Sequence, residues 1–472
     1  MFLLVTALAS CTTQSSSEND LNQKTAYKDV VIDKVPHVMQ KLDFCGEACA
    51  EMYLRRLGKD MDQNYVFDMS GLDPLKGRGC FTPELVTALK KVGFRVGDVW
   101  HKVASDKAEE QMERQFVSLH ADLVKGIPSI VCMRYDDGPG ASEHFRLVLG
   151  YDSKKDELIY HEPAEADGAY RRISRADFFK LWPLKYDKNR WTLIRIRLEA
   201  GKFGHLEPTA GFTNADYTQH MMMLKQKIPD KSFTVVLQKP FVVIGNESPT
   251  MVRRRAARTV KWAADKLKKD YFKKDPAEII DIWLFKDKKS YKKYTWQIFR
   301  DRPDTPFGYY SDKRSALIMN IATGGGTLVH EIVHAFISSN FPQCPAWFNE
   351  GLASLYEQCG EKNGHIYGYT NWRLAGLQKC IRAGSLTSFK TLTHSSGSGF
   401  YRSSEGDNYA QARYLCYYLQ EKKLLTKFYH EFRANYKRDP TGFKTLKKIL
   451  GERDMNAFQK RWEKFVLSLT FP

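Results

Sequence analysis

The sequence predicts two successive domains of the α+β class, each combining helices with a sheet. The 472 residues exceed one ordinary core, and 43% hydrophobic residues suffice for packed interiors, which excludes a disordered chain. Helical patterns precede strand-like runs in the first half, whereas strands precede helices in the second. A stretch containing Gly and Pro at 200–231 separates the two patterns and predicts a linker. We therefore predict domains at 27–199 and 232–472.

The chain opens with a short apolar run that ends Leu8-Ala9-Ser10-Cys11. The run is too short to span a bilayer and is typical of an export signal. Its last four residues resemble the bacterial lipobox, in which the cysteine is lipidated. Cys11 is therefore the predicted lipidation site, and residues 1–26 are the predicted signal and tether. An incidental cysteine in a cytoplasmic chain is the alternative.

The net charge of +18 favours an anionic partner. An exported and anchored protein does not meet nucleic acid, so lipid headgroups or anionic wall polymers are the expected partners. We expect a bacterial envelope protein, lipid-anchored on the extracytoplasmic side; if the cell is Gram-negative, this means the periplasm or outer membrane.

Helices come first and strands second in the first domain. The pattern predicts one helix after Cys45 and a second near 83–92. The strand-like runs are 129–133, 145–151, 157–160 and 191–196.

Cys45 stands where the first helix begins, and free backbone N–H groups and the helix dipole favour a thiolate there. A nucleophilic cysteine also needs a base and a group that orients the base. His144 opens a strand-like run, and Glu162 follows the next run in His161-Glu162-Pro163. Cys49, one helical turn after Cys45, is expected to be core or disulfide.

These residues resemble the peptidase C39-like branch of the papain-type cysteine peptidases. The family pattern is a glutamine, then C-G-x-A, then a histidine opening a strand that ends in G-Y, then D-P. The resemblance implies a papain-like domain with Cys45 as nucleophile, His144 as base and Gln40 as oxyanion donor. Glu162 replaces the usual aspartate and is one methylene longer. A noncatalytic peptide-binding descendant is the alternative, and action on an amide other than a peptide bond stays open.

Strands resume in the second domain at 233–237, 241–244 and 279–285, around a basic helix. The apolar residues of this helix recur at helical spacing and predict a core stripe: Val252, Ala256, Val260, Ala263, Leu267 and Tyr271. Its other face is basic: Arg253, Arg254, Arg255, Arg258, Lys261, Lys266, Lys268 and Lys269. That face either binds an anionic surface or is simply solvated.

An H-E-x-x-H motif lies in the apolar stretch 327–338. On a helix, His330 and His334 project from one face and can hold one metal ion, while Glu331 lies next to the metal-bound water as general base. A catalytic zinc needs a third protein ligand. The sequence offers Glu350, at the start of another helical pattern, with Glu357 and His365 as rivals.

The motif and the segment Pro345-Ala346-Trp347-Phe348-Asn349-Glu350-Gly351-Leu352-Ala353 together resemble the gluzincin zinc metallopeptidases. The resemblance covers about residues 230–472 and implies a zincin-like domain that binds Zn²⁺ and hydrolyses peptide bonds. In this family the glutamate of N-E-G, here Glu350, is the third ligand. Tyr409 is the matching oxyanion donor, or else it only packs. Residues 308–310 are expected to form a turn, and 316–321 an edge strand that holds extended substrate.

Nine cysteines include no paired C-x-x-C motifs of the kind that bind structural zinc, and Cys344 with Cys359 is the predicted disulfide. The favoured hypothesis is a lipid-anchored hydrolase with a zinc peptidase domain and a C39-like cysteine peptidase or peptide-binding domain, acting on peptides or proteins. The alternative is a noncatalytic envelope lipoprotein that binds peptides through degenerate peptidase domains.

Overall fold

A computed structural model of the chain describes residues 27–204, 211–401 and 407–471. The chain divides into two compact units. The first comprises the described residues of Met1–Leu72 and Arg78–Glu207, and the second those of Asp73–Gly77 and Pro208–Pro472. The predicted lipobox, Cys11 and the predicted tether all lie outside the described residues. Among the helices of the described ranges, none has both the length and the apolar composition needed to cross a bilayer.

One antiparallel sheet of seven strands organises the first unit. The strands of the unit are β1 (Val30–Val31), β2 (Phe94–Arg95), β3 (Trp100–Ala104), β4 (Ser129–Arg134), β5 (Glu143–Asp152), β6 (Glu157–His161), β7 (Arg171–Ser174), β8 (Arg190–Arg197) and β9 (Glu199–Ala200). In the sheet, β3, β8, β4, β5, β6 and β7 follow one another, and β1 pairs with β5. The short strands β2 and β9 pair separately.

Five helices accompany this sheet: α1 (Cys45–Arg56), α2 (Gln63–Ser70), α3 (Thr82–Val92), α4 (Ala108–Val124) and α5 (Arg175–Leu181). The predicted helices appear as α1 and α3, and the four predicted strands as β4, β5, β6 and β8, so these predictions are confirmed. The prediction missed α4, although its buried residues recur at helical spacing: Met112, Phe116, Leu119 and Leu123.

A five-stranded mixed sheet organises the second unit. The strands of the unit are β10 (Thr234–Gln238), β11 (Phe241–Gly245), β12 (Ile280–Phe285), β13 (Gly308–Ser311), β14 (Ala316–Asn320), β15 (Cys359–Lys362) and β16 (His365–Gly368). The sheet order is β10, β11, β12, β14, β13. The three central strands run parallel, and both outer strands are antiparallel to their neighbours. The strands β15 and β16 form a separate hairpin.

The helices of the second unit are α6 (Asn214–Lys225), α7 (Pro249–Arg255), α8 (Trp262–Asp270), α9 (Lys288–Tyr294), α10 (Gly326–Asn340), α11 (Ala346–Leu355), α12 (Arg373–Ala383), α13 (Phe389–His394), α14 (Gly397–Tyr401), α15 (Asp407–Glu421), α16 (Leu425–Asn435), α17 (Phe443–Leu450) and α18 (Met455–Ser468). A π-helical turn, Ala256–Lys261, joins α7 to α8. Every residue of the predicted core stripe in this basic helix is buried, which confirms it.

Alternate residues of the mixed sheet face two different hydrophobic cores, as the pleat of a strand requires. In β12, Ile282 and Leu284 share a core with residues of α8, α10 and the C-terminal helices. Trp283 and Phe285 of the same strand share the opposite core with residues of α6 and α9. The sheet is therefore covered on both faces.

Two predictions for this unit need correction. The segment 200–231 contains α6, whose Tyr217, Met221 and Leu224 are buried in the core, so the segment is not an irregular linker throughout. Its glycines and prolines flank this helix and conceal it. The segment 316–321 is not an edge strand, because β14 lies between β12 and β13. The edge is β13, which we expected to be a turn.

Candidate functional site

Cys45 is the first residue of α1, as predicted, and lines a cavity of about 780 Å³. Its sulfur lies within reach of the backbone N–H of Phe145, the residue after His144 on β5. Burial nevertheless raises the pKa of the Cys45 thiol to about 12, and Glu47 and Asp43 add to that rise. The predicted effect of the helix terminus is therefore outweighed by desolvation, and Cys45 is a neutral thiol at neutral pH.

His144 and Arg146 of β5 form a buried cluster with Glu162, the residue after β6. His144 Nε2 lies 2.5 Å from Glu162 Oε1, and Arg146 Nε donates to Glu162 Oε2 at 2.6 Å. Burial alone would raise the pKa of Glu162, but the bond from His144 and the charges of His144 and Arg146 lower it to about 2. The two predicted residues His144 and Glu162 are thus in direct contact, and an arginine that we did not predict holds the other carboxylate oxygen.

Gln40 lies close to the same cluster. Its backbone N–H donates to the carbonyl of Pro163, the residue after Glu162, at 2.8 Å. Its side-chain oxygen is buried and has no hydrogen-bond partner among the described residues. The backbone bond therefore places Gln40 next to the segment that follows Glu162.

Exposed aromatic side chains belong to the rim of the Cys45 cavity. Phe81, Trp100 and Tyr186 line the cavity and remain largely exposed. Apolar rings at the mouth of a concave site are typical of surfaces that bind peptide side chains. The cavity therefore offers a contact surface next to the thiol.

His330 and His334 on α10 and Glu350 on α11 converge, as predicted, on one point. The two Nε2 atoms are 3.0 Å apart, and Glu350 Oε2 lies 3.4 Å from His330 Nε2 and 3.6 Å from His334 Nε2. Glu350 Oε2 is buried and accepts no hydrogen bond among the described residues. These three atoms form a possible metal-binding triad.

The remaining nitrogens of the two histidines contact a second layer of polar groups. His334 Nδ1 lies 2.8 Å from Asn349 Oδ1, and His330 Nδ1 lies 3.4 Å from Glu357 Oε1. Arg373 holds Glu357 through two bonds of 2.9 and 2.7 Å. Such contacts fix the orientation of imidazoles that bind metal.

The rival ligands therefore occupy other positions. Glu357 contacts the nitrogen of His330 that faces away from Glu350, so it supports the triad from outside. His365 belongs to β16, where its Nδ1 lies 2.5 Å from Asp270 Oδ1. The backbone of Glu357 packs directly against Gly326, the first residue of α10. A Cβ at Gly326 would lie only 1.9 Å from the Glu357 carbonyl oxygen, so a glycine is needed for this close approach.

The electrostatics of the triad favour a positive charge. Burial alone would lower the pKa of His330, but the carboxylates of Glu350 and Glu357 raise it to about 10. Burial likewise would raise the pKa of Glu350, yet the two histidines lower it. A cation at this point is stabilised whether it is a proton or a metal ion.

Glu331 lines the same cavity, which measures about 500 Å³. The carboxylate is buried, and it accepts the backbone N–H of Tyr310 on the edge strand β13. Burial and the nearby Glu350 raise its pKa above the usual value. The predicted general base therefore lies between the triad and the free edge of the sheet.

Two tyrosines approach the triad from the C-terminal helices. Tyr401, at the end of α14, donates a hydrogen bond to Glu350 Oε1 at 2.7 Å. The predicted Tyr409, on α15, lines the cavity, and its ring lies 5.4 Å from the guanidinium of Arg373. No pattern in the sequence indicated Tyr401, which ends a stretch of Ser and Gly.

All eight cysteines of the described residues are free, and each is buried or half-buried. The predicted Cys344–Cys359 disulfide is therefore wrong. Cys344 precedes α11, whereas Cys359 opens β15. Both thiols lie in low-polarity surroundings, and burial raises the pKa of each.

Comparison with known proteins supports the assignment of the first unit. The model of the Peptidase_C39 like family matches residues 32–189. Among solved structures, the peptidase domain of Streptococcus ComA, a bi-functional ABC transporter involved in a quorum-sensing pathway, is 19% identical. That match covers 34% of this chain and 96% of that chain, with a TM-score of 0.23. No curated protein matches the chain. The first unit is thus C39-like and supports a peptidase-related function.

Proposed function

We propose that this protein is a lipid-anchored extracytoplasmic peptidase whose second unit hydrolyses peptide bonds at a zinc site. His330, His334 and Glu350 are the ligands, and Glu331 is the general base. The observation that carries the proposal is the convergence of three ligand atoms 3.0 to 3.6 Å apart, two on buried side chains and one on the half-buried His334. Zinc ligands about 2.0–2.1 Å from the ion are separated by roughly 3.3 Å in a tetrahedral site, so the separations fit zinc.

The donor set also favours zinc. Two imidazoles and one carboxylate are a common set for catalytic zinc, with a fourth position left for water or substrate. The second layer of Asn349 and Glu357 supplies the contacts that such histidines usually make. When bound, the ion would supply a Lewis acid that polarises the scissile carbonyl and lowers the pKa of water.

The residues of the chain would carry the remaining steps. Glu331 takes a proton from the attacking water at its carboxylate and returns it to the leaving amine. Tyr409 donates its hydroxyl hydrogen to the oxyanion that develops on the carbonyl oxygen. A substrate peptide that pairs with the free edge of β13 would lie next to Glu331, because the Glu331 carboxylate accepts the backbone N–H of Tyr310 on that strand.

For the first unit, the proposal is a C39-like site with Cys45 as nucleophile, His144 as base, Glu162 as the group that orients His144, and Gln40 as oxyanion donor. The cluster of His144 and Glu162 supports it. The high pKa of Cys45 supports a second candidate, in which this unit only binds peptides. Both candidates fit the aromatic rim of the cavity.

The test of the zinc proposal is metal content and peptide hydrolysis, measured on three purified proteins. The native chain should contain about one zinc ion and hydrolyse a peptide library. His334→Ala should lose both zinc and hydrolysis, because one ligand is gone. Glu331→Gln should keep zinc and lose hydrolysis. A native chain that binds no zinc under metal-replete conditions would refute the proposal, and a Glu331→Gln variant that retains activity would refute the assigned base.

A further inference from the structure

The helix α9 and the residues around it form a strongly basic exposed surface of the second unit. Residues 286–302 contain seven basic and two acidic side chains. The basic ones are Lys286, Lys288, Lys289, Lys292, Lys293, Arg300 and Arg302. We call this surface the α9 face.

The four lysines of α9 lie on its exposed side: Lys288, Lys289, Lys292 and Lys293. Trp296, in the π-helical turn Thr295–Phe299 that follows, is exposed too. The opposite side of the helix is buried through Tyr291 and Tyr294, which pack in the core that covers the mixed sheet. The exposed side is therefore free to meet a partner.

The two acidic side chains of this stretch are engaged elsewhere. Asp287 caps α9 by accepting the backbone N–H of Ser290 at 2.7 Å. Asp301 accepts the hydroxyl of Tyr309 at 2.6 Å and lies 3.7 Å from Arg314. Within the described part of the chain, Lys288, Lys289 and Lys292 form no ion pair. Their charges are not neutralised by the fold.

The basic face of α7 and α8, identified from the sequence, has more partners for its charges. Five of its eight basic side chains have partners; for example, Lys261 pairs with Asp265, and Lys268 pairs with Asp275. The other three with partners are Arg255, Lys266 and Lys269. Four of the eight are exposed and form no ion pair among the described residues: Arg253, Arg254, Arg258 and Lys269. None of the seven basic side chains of the α9 face forms an ion pair in the described part of the chain, so that face carries more unpaired positive charge.

Trp296 indicates what kind of anionic surface the α9 face meets. Its ring is 44% exposed, and the guanidiniums of Arg302 and Arg300 lie 4.6 and 5.8 Å from its centroid. Tryptophan and arginine together are favoured at the boundary between lipid headgroups and acyl chains, where an apolar ring and a charge are both stabilised. A hydrated anionic polymer offers no apolar layer to receive such a ring.

We propose that the α9 face docks on an anionic phospholipid bilayer, with the lysines at the headgroups and Trp296 inserted into the interface. The proposal deepens the membrane attachment in the proposed function, but it requires neither the lipid on Cys11 nor a metal. Asp301 joins this face to Tyr309, which lines the cavity of Glu331. Docking would therefore bring the edge strand β13 near the membrane surface.

The test measures binding of the full chain carrying Cys11→Ala, so that no lipid anchor contributes. Vesicles of phosphatidylglycerol mixed with phosphatidylcholine are compared with vesicles of phosphatidylcholine alone by sedimentation. A lysine near such a surface contributes about fivefold in affinity. The triple variant Lys288→Glu, Lys289→Glu, Lys292→Glu should therefore bind the anionic vesicles at least about 100-fold more weakly.

The matched control is Arg253→Glu, Arg254→Glu, Arg258→Glu, which changes net charge by the same amount. It should weaken binding less than about threefold if the α9 face is the contact. Trp296→Ala should weaken binding about tenfold and leave the salt dependence unchanged. Unfolding midpoint and zinc content, measured on every variant, separate a loss of docking from misfolding and from failure of the zinc site.

Three outcomes would overturn the proposal. Equal losses in the two triple variants would mean that only net charge matters. An unaffected Trp296→Ala variant would point to a polymer of phosphate groups instead of a bilayer. A DNA oligomer that binds more tightly than the vesicles, through the same three lysines, would replace the bilayer as partner.

Discussion

Arg146 and His144 bind opposite oxygens of one carboxylate, that of Glu162. Arg146 also donates to the backbone carbonyl of Tyr135 at 2.8 Å, which anchors the guanidinium. A carboxylate held at one oxygen presents the other in a fixed direction. The longer side chain at position 162 is thereby positioned to orient His144, and the departure from the family's aspartate is compensated within this chain.

The first prediction concerns the stability that this cluster provides. Glu162→Gln should lower the free energy of unfolding by about 3 kcal/mol at neutral pH, because the variant leaves a buried arginine unpaired. The folded pKa of Glu162 is about 2, below its usual 4.5, so this contribution is present above 4.5. It should disappear as the pH falls toward 2. Urea unfolding at several pH values measures it.

The matched control is Glu199→Gln, which removes a partly exposed ion pair with Arg95. That change should cost less than about 1 kcal/mol. Equal costs for the two variants, or a difference between native and Glu162→Gln proteins that does not shrink in acid, would contradict the assigned role.

The second prediction concerns the reactivity of Cys45. With a pKa of about 12, its thiolate fraction near neutral pH is roughly 1,000-fold below that of an ordinary cysteine. Alkylation by iodoacetamide, followed by peptide mass spectrometry, should be correspondingly slow and should rise about tenfold per pH unit in the alkaline range. The protein unfolded in urea is the control.

Rapid alkylation with a plateau below the usual thiol pKa would instead reveal a thiolate paired with the imidazolium of His144. In that case His144→Ala should restore the slow, pH-dependent reaction. This pair of measurements therefore also decides between the catalytic and the peptide-binding role of the first unit.

The third prediction concerns the second layer of the metal site. Asn349→Ala removes the bond to His334 Nδ1 and should weaken zinc binding about 10- to 100-fold, measured by competition with a chelator. Ser338 lines the same cavity, but its hydroxyl donates to the Ala335 carbonyl and not to a ligand. The control variant Ser338→Ala should therefore leave zinc affinity unchanged. Loss of affinity in both variants would mean that the cavity, not the bond, is responsible.

The fourth prediction separates the two tyrosines. Tyr401→Phe loses the hydrogen bond to the ligand Glu350 and should weaken zinc binding while leaving kcat near normal at saturating zinc. Tyr409→Phe should lower kcat about 100-fold and leave zinc affinity unchanged, because its hydroxyl serves the developing oxyanion. The reverse result would assign the oxyanion to Tyr401.

Site residues that lie close together along the chain were predicted correctly from the sequence. His330 and His334 share a helix face, so their convergence follows from helical geometry. Glu350 was found from a motif, and the start of α11 places it correctly. The two rival ligands lie elsewhere: Glu357 contacts His330 from outside the triad, and His365 binds Asp270.

The role of Arg146 could have been predicted from the sequence. This residue interrupts an apolar strand, and a buried charge within a strand requires a partner. Tyr401 and the edge position of β13 had no local signal, because each depends on tertiary packing. The pKa of Cys45 was predicted in the wrong direction because burial, which the sequence does not report, outweighs the helix terminus.

The free thiols have a consequence for what stabilises this protein. Many exported proteins acquire stability from disulfides and need an oxidant or isomerase to fold. Here all the described cysteines are free thiols, and the two cores of the second unit are closed by aromatic and aliphatic packing instead. The stability of the described residues therefore rests on that packing, and we expect a reducing agent to leave it unchanged.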